Sequence, residues 1–110
     1  MIDRQKFDDT FQYFDKDVIL NIIDIFEKEL PERLEKIHGN ILEKDFAALA
    51  FNVHSLKSAA GTFMATEPSE LARKMEELAI QSLNQDLPEI YQELKSASEE
   101  LLRELKEIRR

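Results

Sequence analysis

The histidine at position 54 is the residue of this chain best suited to chemistry. It lies in the run NVHSLKSAAG at residues 52–61, where Lys57 follows after two intervening residues and small side chains follow at Ser58 and Gly61. Free histidine has a pKa of about 6.5, so near neutral pH its ring is substantially uncharged and one nitrogen carries a free lone pair. Such a nucleophile can attack an activated phosphoryl donor without a strong base. We therefore predict that His54 is a phosphorylatable nucleophile, with the attacking nitrogen not fixed by the sequence.

A single helix is predicted over residues 45–65, and it separates the neighbours of His54 into two faces. At about 100° of rotation per residue, one face holds the side chains expected in a core, which are Leu49, Val53, Leu56, Ala60 and Phe63. The opposite face carries His54 together with small side chains and one cation, which are Ala47, Ala50, Lys57, Ser58, Gly61 and Ala65. His54 is therefore expected to point to solvent.

The small side chains around His54 favour close approach by a second molecule. Glycine inside a helix costs on the order of 1 kcal/mol relative to alanine, so Gly61 needs a reason of packing or of access. Lys57, one turn after His54, is expected to neutralise phosphoryl oxygens. Phe51 lies about 60° from His54, where it is either an apolar anchor for a partner or part of the core. The predicted partner-binding residues are Ala47, Ala50, Phe51, Ser58 and Gly61.

The run HSLKSAAGTF, which begins at His54, resembles the signature of histidine-containing phosphotransfer (HPt) domains. That signature has histidine, two residues, lysine and then usually glycine. Residues 71–79, with Met75-Glu76 in the middle, resemble the helix that follows it, and the whole chain has the length of one such domain. Two residues depart from the pattern, because Ser58 and Met64 stand where glycines are common. Serine keeps the surface accessible, whereas Met64 is expected to alter the fit of a partner.

The resemblance implies a phosphoryl carrier without kinase activity of its own. A phosphorylated receiver domain would dock over the His54 face, His54 would take the phosphoryl group, and the aspartate of a second receiver would later accept it. The implied partners are response-regulator receiver domains and a hybrid histidine kinase. No cofactor is expected, and any Mg²⁺ would belong to the acidic pocket of the partner.

Two other functions stay open. The chain could be a phosphotransfer module cut from a larger hybrid histidine kinase, although its start at Met1 and a complete bundle favour a free-standing protein. It could also be a helical adaptor that binds a receiver domain without accepting phosphate. The presence of both His54 and Lys57 counts against the adaptor, and a transfer assay separates the two.

The composition predicts one all-α domain over residues 1–110. A 43% hydrophobic content is too high for a disordered chain, and two glycines and three prolines provide too few turn residues for an all-β fold. The formal charge of −8 disfavours nucleic acid, which needs a basic surface. No cysteine and no long apolar run is present, so we expect a cytoplasmic protein that does not enter a membrane. A monomer is expected because the exposed stripe is small.

Residues 2–43 predict a short helix followed by a long one. The short helix is predicted within residues 2–14, behind Asp3 as N-cap, from the i, i+4, i+7 spacing of three phenylalanines: Phe7, Phe11 and Phe14. The long helix begins near Lys16, behind Asp15 as a cap, and runs to about residue 43. Pro31 lies inside it, where a missing N–H group predicts a kink or a local break.

Two further helices are predicted after the His54 helix. Thr66 is expected to cap the first of them, with Pro68 in its opening turn, and this helix ends near residues 81–84. Asp86 and Glu89 have the spacing of a capping box before the last helix, which runs to Ile108. Short links make neighbouring helices antiparallel, so the sequence predicts an antiparallel four-helix bundle with a short additional N-terminal helix.

No feature beyond the His54 face predicts a catalytic or metal site. His38 has no comparable neighbours, and two distant histidines with many carboxylates do not form a ligand pattern. The chain also has no glycine-rich phosphate loop, no nucleotide-binding motif and no catalytic triad. We therefore predict no metal site and no autonomous enzyme.

Overall fold

The computed structural model describes residues 2–109, with the side chain of Arg109 left out, as an all-helical chain. Its five helices are α1 (Arg4–Phe11), α2 (Lys16–Glu43), α3 (Phe46–Thr62), α4 (Thr66–Ile80) and α5 (Leu87–Arg109). The links between the four long helices are two to six residues long, so consecutive helices run antiparallel. The predicted bundle with an additional N-terminal helix is confirmed.

The four long helices close into a ring around one core. Helix α2 packs against α3 and α5, and α4 packs against the same two helices. The long axis of the molecule is 41 Å, which is about the length of the 28-residue α2 at 1.5 Å per residue. The core face predicted for the His54 helix is confirmed, since its five apolar side chains are all buried: Leu49, Val53, Leu56, Ala60 and Phe63.

Aspartate side chains begin two of the helices as expected. Asp3 accepts a hydrogen bond from the Lys6 N–H at 3.1 Å, and Asp45 accepts one from the Ala48 N–H at 3.2 Å. Each bond satisfies one of the backbone donors that a helix start leaves free. Asp15 occupies the N-cap position of α2, but its side chain makes no capping hydrogen bond. Thr66 was predicted as a cap and is instead the first residue of α4, because Ala65 is the N-cap.

Helix α3 ends three residues earlier than the sequence predicts. It stops at Thr62, and Met64 has a left-handed backbone with φ of 58°. The chain then forms an isolated antiparallel bridge between Ile2 and Ala65, while the Asp3 N–H donates to the Met64 carbonyl at 3.0 Å. Ala65 was predicted on the exposed stripe, but this turn makes it a buried residue outside the helix.

Pro31 does not break α2. The helix is continuous from Lys16 to Glu43, so the local break that the proline predicted is wrong. The apolar stripe keeps its phase across this position, because Phe26, Leu30, Leu34 and Ile37 are all buried. Burial of that stripe offsets the missing backbone hydrogen bond. Among the described residues, no helix is long and apolar enough to cross a membrane.

Candidate functional site

His54 lies in the middle of α3 and faces outward. Its neighbours Val53 and Leu56 are fully buried, whereas the His54 side chain is 59% exposed. The helical pattern therefore predicted its orientation correctly. An incoming molecule can reach the ring without any rearrangement of the core.

A glutamate from the next helix contacts the His54 ring. The Nδ1 atom of His54 lies 2.8 Å from Oε2 of Glu76, a residue of α4. The Glu76 side chain is only 18% exposed, because it lies between α3 and α4 at the edge of the core. This contact orients the imidazole and leaves its Nε2 atom as the ring nitrogen available to an incoming group.

The same carboxylate also binds Lys57. The lysine Nζ donates to Oε1 of Glu76 at 2.7 Å, so one carboxylate joins the histidine and the cation of the sequence motif. The hydrogen bond from Lys57 is the main cause that holds the pKa of Glu76 below its ordinary value. Partial burial acts in the opposite direction, and the hydrogen bond with His54 and the charges of both partners lower the pKa further.

The ionisation of Glu76 fixes the tautomer of a neutral His54. An ionised carboxylate can only accept hydrogen bonds, so the Nδ1 atom must carry the proton that lies between the two residues. The lone pair of the neutral ring is then on Nε2. The sequence did not predict which ring nitrogen is free to attack. The contact with Glu76 places the proton of the neutral ring on Nδ1.

Glu76 was not among the site residues predicted from the sequence. It lies beside the buried Met75 and is four residues from Ala72 and three from Ala79, both of which are also buried. That spacing puts a carboxylate at the border of the packed face of α4, which was a usable signal. The sequence does not say which helix lies opposite that border, so the partners of Glu76 could not be read from it.

The predicted partner-binding residues lie on the same side of α3 as His54. Phe51 is 74% exposed, so its alternative assignment to the core is wrong. A methyl group built at Gly61 would meet no atom within 4 Å, which means that packing within the chain does not require glycine there. Ala50 is half-buried and the other residues of the set are exposed, namely Ala47, Ser58 and Gly61.

An arginine from α2 lies on the other flank of His54. Arg33 donates from Nη1 to the Ser55 hydroxyl and from Nη2 to Oε2 of Glu29, the latter at 3.0 Å. Its guanidinium lines an open hollow that it shares with His54 and Ser58. No pattern in the sequence associates α2 with the histidine, so Arg33 was not predicted either.

Histidine and carboxylate side chains outside the His54 face were also compared with the geometry of metal sites. Within residues 2–109, no group of three or more histidine, aspartate or glutamate side chains is arranged to hold a metal ion. His38 stacks on the ring of Tyr91, with centroids 5.0 Å apart and planes inclined by 22°. That packing contact accounts for His38 without a chemical role.

The family of the chain follows from comparison with known proteins. A family model described as the Hpt domain matches residues 21–110, which covers α3, α4, α5 and nearly all of α2. No curated protein and no solved structure matches the chain. Hpt domains are phosphocarrier modules that interact with receiver domains and histidine kinases in phosphorelay signalling. Because the match covers well over half of its length, the chain belongs to the Hpt domain family.

Proposed function

We propose that this chain, as a single domain, relays a phosphoryl group between receiver-domain aspartates through phosphohistidine at His54. The observation that carries the proposal is the contact of the exposed His54 ring with Glu76, at 2.8 Å through Nδ1. It orients the imidazole and leaves the Nε2 lone pair for an incoming group, on a side chain that is 59% exposed. A carrier needs those two properties and no base of its own, since the donor is already activated.

The transfer step balances without loss of a proton. The Nε2 lone pair attacks phosphorus in line, a P–N bond forms, and the P–O bond to the donor aspartate breaks so that its carboxylate leaves with the electron pair. The imidazole becomes positively charged and keeps its Nδ1 proton, which Glu76 accepts as a hydrogen bond. The reverse attack, by the carboxylate of the acceptor receiver, returns His54 to its neutral form. The ion pair thus stabilises the charge that develops on the ring.

Lys57 has two roles in this proposal. Its bond to Glu76 keeps that carboxylate ionised and fixed in place, as the lowered pKa of Glu76 indicates. An ammonium group has three donors, so Lys57 can also donate to a phosphoryl oxygen while it holds Glu76. Its side chain is 30% exposed, which allows an incoming group to reach it.

Receiver domains are proposed to dock on the surface around His54. The exposed Phe51 provides an apolar contact, and the small side chains allow the partner to approach the helix closely. Choice among receivers then depends on differences in affinity over this surface. The proposed contact residues are Ala47, Ala50, Phe51, Ser58 and Gly61.

The experiment is phosphoryl transfer from a panel of phosphorylated receiver domains to the wild-type chain and to two histidine variants. We expect an acid-labile, alkali-stable label that is lost in His54→Gln and kept in His38→Gln, which removes the other histidine of the chain. Label in His54→Gln would refute the assignment. Receiver binding without label on the wild type would instead favour a helical adaptor.

A further inference from the structure

Arg33 and Lys57 flank His54 from opposite sides. Lys57 lies on the side of α3 that faces α4, where it bonds to Glu76. Ser55 lies about 100° around the helix from His54 in the other direction, towards α2, and it is the residue that Arg33 contacts. The histidine therefore has one cation on each flank, brought there by different helices.

The guanidinium of Arg33 is held at the edge of an open hollow beside the histidine. The hollow is lined by Arg33, His54, Ser55 and Ser58, together with apolar surface from α3. Arg33 is 26% exposed, so it is restrained by its neighbours yet accessible from the hollow. Ser55 and Glu29 use two of its five N–H groups, so several donors are left for an anion.

The charges around His54 leave room for a second cation that could bind a phosphoryl group. Glu76 opposes the charge of Lys57 through a 2.7 Å contact, so that pair adds little net positive charge. A phosphoryl group brings between one and two negative charges to a chain whose formal charge is already −8. Glu29, the carboxylate partner of Arg33, is 44% exposed, and its bond to the arginine is correspondingly weak and replaceable.

We propose that Arg33 binds the phosphoryl group carried by His54, from the flank opposite Lys57, by exchanging Glu29 for phosphoryl oxygens. The planar guanidinium donates two parallel hydrogen bonds to an oxyanion, which lysine does not provide. Ser55 keeps the arginine at the hollow during the exchange. The inference rests on the proposed function of His54.

The test begins with the phosphorylated chain alone. Wild type, Arg33→Gln, Arg33→Lys and Arg103→Gln are labelled with phosphoramidate, a small N–P donor, and their ³¹P spectra are compared. Arg103 is the matched control, because it also pairs with a glutamate but lies on α5, across the ring from α3. We expect the phosphohistidine resonance to move in Arg33→Gln, to move less in Arg33→Lys, and to stay in place in Arg103→Gln.

The second arm measures transfer from a phosphorylated receiver to the same proteins. Loss of the two charge-assisted hydrogen bonds to the phosphoryl group predicts a fall in kcat of about tenfold or more in Arg33→Gln, with partial recovery in Arg33→Lys. Circular dichroism confirms that each variant is folded. An unchanged ³¹P resonance with wild-type kcat in Arg33→Gln would overturn the inference, and so would a rise in KM alone, which would assign Arg33 to receiver docking. Failure of the wild type to take label would overturn the function of His54 and this inference with it.

Discussion

Glu76 orients the exposed ring of His54 by contacting its Nδ1 atom. Its two oxygens contact His54 at 2.8 Å and Lys57 at 2.7 Å, so a single side chain positions both members of the sequence motif. The sequence predicted the outward direction of His54 from the helical pattern alone. It could not predict Glu76, because the contact depends on how α4 lies beside α3 and not on spacing within either helix.

Substitution of Glu76 by glutamine is expected to slow phosphoryl transfer. The amide keeps the shape of the side chain but cannot balance the positive ring that forms when Nε2 is phosphorylated. Loss of that charge-assisted bond predicts a fall in the rate constant of transfer of about tenfold or more. The measurement is single-turnover transfer from a phosphorylated receiver, with Glu77→Gln, an exposed glutamate of α4 paired with Arg73, as control. Equal rates in wild type and Glu76→Gln would show that the carboxylate has no part in the reaction.

The lowered pKa of Glu76 also predicts how the stability of the fold depends on pH. A carboxyl group whose pKa is lower in the folded chain stabilises the fold above its unfolded pKa of about 4.3. That contribution is lost as the pH falls through the folded pKa. Urea unfolding is therefore expected to give a difference in free energy between wild type and Glu76→Gln that shrinks as the pH falls below about 4.3. A difference that grows as the pH falls below this value would contradict the sign of the shift.

For the helices, the sequence predicted which ones form better than it predicted the residues at which they end. The apolar stripes predicted all five helices. Helix α2 was predicted to end at about residue 43, and it ends at Glu43. The end of α3 was missed because a three-residue turn and the bridge between Ile2 and Ala65 depend on the N-terminal segment reaching across the bundle. Periodicity within α3 carries no information about that distant contact.

Pro31 is expected to lower the stability of α2. It is exposed and lies in the interior of a continuous helix, where it lacks the N–H that would bond to the carbonyl of Glu27. Replacement by alanine restores this donor and is expected to raise the free energy of unfolding by about 1–3 kcal/mol. Urea unfolding of wild type and Pro31→Ala measures the change. Destabilisation of the variant would mean that α2 needs the proline for its shape.

At the scale of the molecule, the order of helices around the ring is what assembles the site. Helix α3 lies between α2 and α4, so Glu76 of α4 contacts the His54 ring from one side, and Arg33 of α2 lines a hollow with it on the other. The sequence predicted an antiparallel bundle, yet the facing residues of neighbouring helices follow from the rotation and shift of each helix. These depend on packing of the whole core, which no local pattern specifies.

The proposed single-domain organisation predicts one cooperative unfolding transition. Tyr91 is buried and donates to the Leu34 carbonyl at 3.2 Å, so its fluorescence reports the packing of α5 on α2. Tyr13 is almost fully exposed, and a Tyr13→Phe background leaves Tyr91 as the sole tyrosine. In urea, this signal and the far-UV circular dichroism are expected to change with the same midpoint. Separate midpoints would show that part of the bundle unfolds independently.

Phosphoryl transfer to His54 is the measurement that decides whether this chain is a phosphoryl carrier. A phosphorylated receiver domain is incubated with wild type, His54→Gln and His38→Gln, and the label is followed together with its stability in acid and alkali. We expect an acid-labile, alkali-stable label on the wild type and on His38→Gln, and no label on His54→Gln. Label that survives in His54→Gln would contradict that expectation.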